Sequence, residues 1–146
     1  IAAGRRNTFY TDNDGKLYAL GDNRWNKVHT GSVGDMVTPY LVTEDVKNGR
    51  NFLIFAEGTR SRQGNKLLDF KGGSFKSATK AKCPIVPCAL IDSFKPFDEN
   101  SIKPVTVKLF YLPPMYYEEY KDMKTVEIAA EVKRRIEQVH MEEGCE

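Results

Sequence analysis

The densest set of chemistry-bearing residues is Phe55-Ala56-Glu57-Gly58-Thr59-Arg60-Ser61. A carboxylate, a glycine, a hydroxyl and a guanidinium follow directly after the apolar run Phe52-Leu53-Ile54-Phe55. Arg60 offers a planar fork of donors that suits a phosphate. Thr59 and backbone N–H groups of the loop can add donors, and Gly58 allows a tight backbone path. Glu57 cannot bind an anion itself. It can orient Arg60, or accept hydrogen bonds from N–H groups of the loop. Phosphate binding is the functional reading, and a surface loop with an ion pair is the plain one.

The other reactive side chains form no comparable set. Cys83 and Cys88 flank Pro84-Ile85-Val86-Pro87, and Cys145 lies near the end of the chain. A zinc site needs further ligands, and the only histidines, His29 and His140, lie in unrelated segments. The thiols read as structural, and an odd cysteine count without a leader sequence fits a reducing compartment. Asp12-Asn13-Asp14-Gly15 has the look of a calcium loop, but Leu17 stands where the sixth-position glycine belongs and Asn23 where the glutamate belongs. A hairpin turn is the better reading. Lys71-Gly72-Gly73-Ser74 lacks the Gly-Lys-Ser/Thr of a nucleotide phosphate loop. No metal or cofactor is expected.

These residues need elements to hold them. Thr8-Phe9-Tyr10-Thr11 and Lys16-Leu17-Tyr18-Ala19-Leu20 read as a hairpin about the Asp12–Gly15 turn, and 21–34 as loop. Met36, Val37, Tyr40, Leu41 and Val46 recur as one helical face, so 35–48 reads as a helix with Pro39 in its first turn, stopped by Asn48-Gly49. Phe52–Phe55 reads as a buried strand of a parallel sheet. Residues 57–71 read as a long loop, and Ser74 as the cap of a helix from Phe75 to about Lys82. Ile85–Ile91 reads as a strand interrupted at Pro87, which cannot donate to a ladder. Val105–Leu112 reads as a strand whose face bearing Thr106, Lys108 and Phe110 is the more polar, ended by Pro113-Pro114. Ile128, Val132, Ile136 and Val139 mark 124–140 as an amphipathic helix packed on the sheet.

The composition agrees with a folded domain. At 146 residues the chain is about one domain, with 40% apolar residues and a net charge of +2. That balance argues against a dedicated nucleic-acid binder. No apolar run approaches the ~18 residues that suggest a membrane span.

The motif resembles a known family. Phe-x-Glu-Gly-Thr-Arg-Ser after an apolar strand is similar to the third motif of the glycerolipid acyltransferases of the lysophosphatidic acid acyltransferase (PlsC-like, 1-acylglycerol-3-phosphate O-acyltransferase) type, with Ala56 where that family commonly has Pro. Asp69-Phe70-Lys71-Gly72-Gly73-Ser74-Phe75 is similar to the family's Phe-Lys-x-Gly segment. Ile85-Val86-Pro87-Cys88-Ala89-Leu90 is similar to its fourth motif, and order and spacing both fit. The resemblance covers roughly residues 35–140. It implies an α/β fold with a mixed, largely parallel sheet flanked by helices (glycerol-3-phosphate acyltransferase-like). Residues 1–34 form a segment with the hairpin, and 35–146 form the C-terminal part of the domain.

The resemblance also implies a function: transfer of a fatty acyl chain from a thioester donor, acyl-CoA or acyl-carrier protein, to a lysophosphatidate-type acceptor in phospholipid biosynthesis. The family's base is the His of a His-x-x-x-x-Asp motif, with the Asp fixing the tautomer. Glu57, Gly58, Thr59 and Arg60 inherit acceptor-phosphate binding. Lys71, Gly72, Val86 and Pro87 inherit a pocket-shaping role. Arg24 is the candidate for the arginine of the second motif, ahead of Arg5 and Arg6. The implied setting is cytoplasmic and peripheral, at the cytoplasmic face of a membrane, with membrane contact through the parent protein.

No His-x-x-x-x-Asp is present. His29 precedes Asp35 by five intervening residues instead of four, so it reads as a loop histidine before it reads as a base. The expectation is an N-terminally incomplete domain whose catalytic pair lies upstream of Ile1. The alternative is a non-catalytic module that binds a phosphate headgroup or a lipid surface, to which Lys66, Lys71, Lys76, Lys80 and Lys82 would contribute.

Overall fold

The computed structural model describes residues 2–3, 7–11, 13, 17–22, 35–59, 61–98 and 103–145. Arg5, Arg6, Arg24, His29, Arg60 and most of the Asp12–Gly15 turn lie outside the described residues. The chain is mixed α/β. Its first part is a four-stranded sheet in the order β1 (Ala2–Ala3), β2 (Asn7–Thr11), β3 (Leu17–Asp22) and β4 (Asp35–Leu41). Each neighbour pairs antiparallel, with Ala2 opposite Phe9, Phe9 opposite Ala19, and Tyr18 opposite Leu41. Short connections such as the one between β2 and β3 permit only antiparallel pairing, because a parallel pair needs a crossover of a dozen or more residues. No parallel pair occurs among the described residues.

The helix read over 35–48 is corrected. Residues 35–41 are strand β4, and only Val42–Lys47 form a helix, α1. Val37 and Thr38 are β-branched and favour extended backbone, and Pro39 carries no N–H for a helix. The ladder with β3 shifts register between Ala19 and Gly21, so Tyr40 pairs with Ala19 and Met36 with Gly21. The five residues from Met36 to Tyr40 thus stand against three of β3, Ala19 to Gly21, a bulge that accommodates Pro39. After α1, Gly49 adopts φ 81 and its N–H meets the Val46 carbonyl at 3.0 Å. This is the left-handed stop that glycine makes without strain.

The second part is built on α5 (Thr125–Glu142). Ile128, Ala129, Val132 and Ile136 are buried along one stripe. They share a core with Ala56, Phe75, Ala89, Met115 and Tyr120. The helix start is held by Glu127, whose Oε2 accepts the Lys124 N–H at 2.6 Å. Against α5 packs a two-stranded antiparallel sheet, β5 (Cys88–Ile91) and β6 (Lys108–Tyr111), with Ala89 opposite Phe110. Ile85 extends this ladder through reciprocal bonds with Met115 of 2.9 and 2.7 Å. Pro87 breaks the strand between them but remains buried, and its carbonyl accepts the Leu112 N–H at 3.0 Å.

Two further expectations change. Phe52–Phe55 pairs with no strand among the described residues, and Leu53 is 74% and Phe55 70% exposed, so it is not a buried strand here. On β6 burial does not follow the polarity of the faces: Phe110 packs on the core, whereas Leu109 and Tyr111 are exposed. Burial beneath α5 reaches only the face carrying Ala89 and Phe110, and alternation sends Leu109 and Tyr111 to the other side. The helix read from Phe75 begins earlier, with a 3-10 turn over Gly72–Phe75 that runs into α2 (Lys76–Ala81). Ser74 is inside that turn, where its N–H bonds the Lys71 carbonyl at 2.9 Å, and it caps nothing.

Two short helices complete the chain: α3 (Lys95–Asp98) and α4 (Tyr117–Tyr120). Among the described residues no helix is long and apolar enough to cross a membrane.

Candidate functional site

The loop after Phe55 is fastened across its neck by two hydrogen bonds. The Lys71 N–H donates to the Ala56 carbonyl at 2.8 Å, and the Leu68 N–H donates to Glu57 Oε2 at 2.9 Å. Ala56 anchors this neck because its side chain is buried in the core beside α5. Gly58 turns the chain, with φ 71 and its N–H on the Phe55 carbonyl at 3.1 Å. Of the two roles open to Glu57, the structure displays loop fastening. Its carboxylate closes residues 57–68 into a compact bend, and the exposed Thr59 stands on the outside of it.

The far end of the loop is fixed by residues that the sequence reading missed. Asn65 Nδ2 donates to Asp92 Oδ1 at 3.0 Å, and Asp92 N–H returns a bond to Asn65 Oδ1 at 2.8 Å. Asp92 follows β5 in the left-handed region, with φ 62, and pairs with Lys95 Nζ at 2.7 Å. The bonds from Lys95 and Asn65 hold its carboxyl below the usual carboxylate range. Within the loop, Ser61 Oγ donates to the Lys66 carbonyl at 2.8 Å, and Gly64 turns with φ 65 beside the Phe94 ring. The available signals were the Gly64-Asn65 turn pair and the acidic residue just past a strand end.

The remaining candidates are placed as follows. Lys71 contributes its backbone to the neck and has an exposed side chain. Gly72 lies against the start of α5, where an added Cβ would meet Thr125 C, Thr125 Oγ1 and Val126 Cγ1, each at 3.2 Å. Its lack of a side chain therefore serves the packing of α5 on the loop. Pro87 is buried and Val86 half exposed, and no hydrogen bond links either to Glu57, Gly58 or Thr59. Arg60, Arg24 and His29 fall outside the described residues. His140 is buried at the end of α5, and its Nε2 has no hydrogen-bond partner.

Burial pushes the Cys83 and Cys88 thiols up, which disfavours the thiolate a nucleophile needs. Tyr120 is buried, with its hydroxyl on the Cys83 and Ala78 carbonyls, and burial pushes it up to about 12. Among the described residues no three His, Cys, Asp or Glu side chains converge as a metal site.

The profile of the Acyltransferase family matches residues 20–91, a span that contains the whole fastened loop and ends with β5. The chain is 28% identical over 138 residues to the 1-acyl-sn-glycerol-3-phosphate acyltransferase of Salmonella typhimurium, covering 94% of this chain and 56% of that protein. The protein of the same name from Escherichia coli is 28% identical over 144 residues, with the same coverage. The one from Cocos nucifera is 31% identical over 114 residues, 75% of this chain and 36% of that protein. This chain belongs to the acyltransferase family. It spans about half the length of the two bacterial relatives, 56% of each. No solved structure matches it. In this acyltransferase chain the loop that carries the motif is the one fastened at Ala56–Lys71 and Glu57–Leu68.

Proposed function

We propose that this chain provides the acceptor-binding part of an acyltransferase that moves a fatty acyl group from a thioester donor to a lysophosphatidate-type glycerol phosphate. The observation that carries the proposal is the bond from the Leu68 N–H to Glu57 Oε2. It turns the one carboxylate of the motif toward the backbone of the loop, where it fixes the bend 57–68 that presents the neighbouring donors. Thr59, backbone N–H groups and the Arg60 guanidinium are then the groups that receive the acceptor. Lys71 and Gly72 hold the neck, and Val86 and Pro87 shape the approach from β5. Support for the acceptor class comes from the names of the relatives.

The base that activates the acceptor hydroxyl is not proposed from this chain's own histidines, since neither stands in a His-x-x-x-x-Asp. In the complete enzyme it comes from residues outside this sequence. The donor is acyl-CoA or acyl-carrier protein, and the work is done at the cytoplasmic face of a membrane. Phe52–Phe55 then serves as a strand of a larger, largely parallel sheet, which would cover Leu53 and Phe55. The missing histidine motif favours a second reading of the chain taken alone, a phosphate-headgroup binder without turnover.

The test is calorimetric titration with sn-glycerol 3-phosphate. Arg60→Ala is expected to lose at least tenfold in affinity, as removal of a charge-assisted bidentate contact does. Unchanged affinity overturns the proposal. Release of thiol from acyl-CoA by the full-length gene product, and not by this chain, separates the enzyme from the binding module.

A further inference from the structure

The charge of this protein is distributed unevenly in a way that the total conceals. Between residues 60 and 82 stand seven basic residues and one carboxylate, a net +6 in a chain whose total is +2. The rest of the chain therefore carries a net −4. The single carboxylate, Asp69, is already engaged by Lys133 at 2.8 Å.

The two basic regions of the chain are treated differently by the fold. Along α5 the cations are compensated: Arg134 and Arg135 bond Glu131, each at 2.8 Å, Arg135 also reaches Glu119 at 3.7 Å, and Lys133 reaches Glu137 at 3.6 Å. These bonds hold the Glu131 carboxyl down at about 2. By contrast, Arg62, Lys66, Lys71, Lys76, Lys80 and Lys82 form no ion pair with any described residue. All but Lys76 are exposed. Lys76 and Lys80 are one turn apart on α2 and so share a face of that helix. The neck bond from Lys71 to Ala56 ties this basic stretch to the Glu57–Thr59 segment.

We propose that this stretch, the loop 62–71 and helix α2, lies against an anionic lipid bilayer and holds the acceptor site at the membrane surface. The proposal rests on the acceptor reading above, because a lysophosphatidate-type acceptor resides in a bilayer. Residue type decides between a bilayer and an acidic protein. Five of these six cations are lysines, of which Lys82 stands over the Tyr117 ring at 5.7 Å, and lysines are depleted in the cores of protein–protein interfaces. A lysine is a mobile point charge that needs no fixed partner geometry, and a fluid leaflet of anionic headgroups offers none. Polybasic surfaces gain from such a leaflet through summed attraction, which salt screens.

The experiment is co-sedimentation of the full chain with vesicles of phosphatidylcholine and phosphatidylglycerol at 3:1, and with pure phosphatidylcholine. The expected result is binding to the anionic vesicles only, lost at high salt. Lys76→Gln with Lys80→Gln should weaken the partition about 30-fold, from roughly fivefold per lysine. Lys66→Gln should give about fivefold, and circular dichroism should match the parent in both. The variants should bind sn-glycerol 3-phosphate as the parent does. Equal binding to both vesicle types, no binding to anionic vesicles, or undiminished binding by the folded variants overturns the proposal. Capture of acyl-carrier protein without vesicle binding overturns it in favour of an acidic protein partner. A failure of the acceptor reading shows separately, as Arg60→Ala binding sn-glycerol 3-phosphate like the parent while vesicle binding persists.

Discussion

Glu57 offers the sharpest test of how the loop works. Glu57→Ala removes the acceptor of the Leu68 N–H bond and leaves that N–H without a partner in a half-buried place. A hydrogen bond to an ionised acceptor contributes ~1.5–3 kcal/mol when well shielded. Partial exposure of Glu57 screens the bond, so about 1 kcal/mol is the working figure. For a chain of this size that lowers the midpoint of thermal unfolding by about 3 °C. The bend 57–68 opens by the same free energy, so the affinity for sn-glycerol 3-phosphate should fall about fivefold. Glu57→Gln separates geometry from charge. Its Oε1 still accepts from Leu68, so the loop stays closed and most of the affinity returns. Thermal unfolding and calorimetric titration of the three proteins read both quantities. A Glu57→Gln protein as damaged as Glu57→Ala would refute the reasoning, because the negative charge would then matter through Arg60. Full affinity in Glu57→Ala would refute it from the other side.

Further outcomes follow from packing and titration. Gly72→Ala sets a methyl 3.2 Å from the Thr125 backbone carbon, which cannot rotate away. The strain of ~1–3 kcal/mol outweighs the ~0.4–1 kcal/mol gained from a less flexible unfolded chain, so urea unfolding should show a net loss of about 1 kcal/mol. Adding Val126→Ala should not restore it, because the backbone contact remains. Tyr120 has its folded value raised to about 12 from 10, so the folded state holds its proton while the unfolded state has released it. Its contribution is complete below pH 10 and is lost as pH rises toward 12, at about 1.4 kcal/mol per unit. Tyr120→Phe should flatten the stability profile in that window, and an unchanged slope in pH-dependent urea melts would refute the assignment.

The sequence was readable where one local rule acts without competition. The four-four-three spacing of Ile128, Val132, Ile136 and Val139 marked α5, because an amphipathic stripe is a property of the helix itself. Asn48-Gly49 marked the end of α1, because only the left-handed backbone of glycine is needed there. Reading failed where two rules compete. Met36, Val37, Tyr40 and Leu41 suit a helical face and a bulged strand equally well, and pairing with β3 decided for the strand. Phe52–Phe55 has the composition of a buried strand, but burial depends on what covers it, and among the described residues nothing pairs with it. Leu109 and Phe110 alternate in any strand, and only the position of α5 decided which of them faces the core.

By itself, the sequence determined which donor groups stand together in the motif. A guanidinium, a hydroxyl and a glycine after an apolar run suit a phosphate whatever surrounds them, because donor geometry belongs to the residue types. Tertiary structure decided what each charge is free to do. Glu57 is committed to the Leu68 backbone, 11 residues away, and Asn65 to Asp92 across 27 residues. Lys133 of α5 reaches Asp69 across 64 residues, while the cations of 62–82 pair with no carboxylate among the described residues. Such pairings depend on which segments the fold brings within a few ångströms. Coulomb attraction and hydrogen bonding fall off steeply with that separation, and the order of residues along the chain does not encode it.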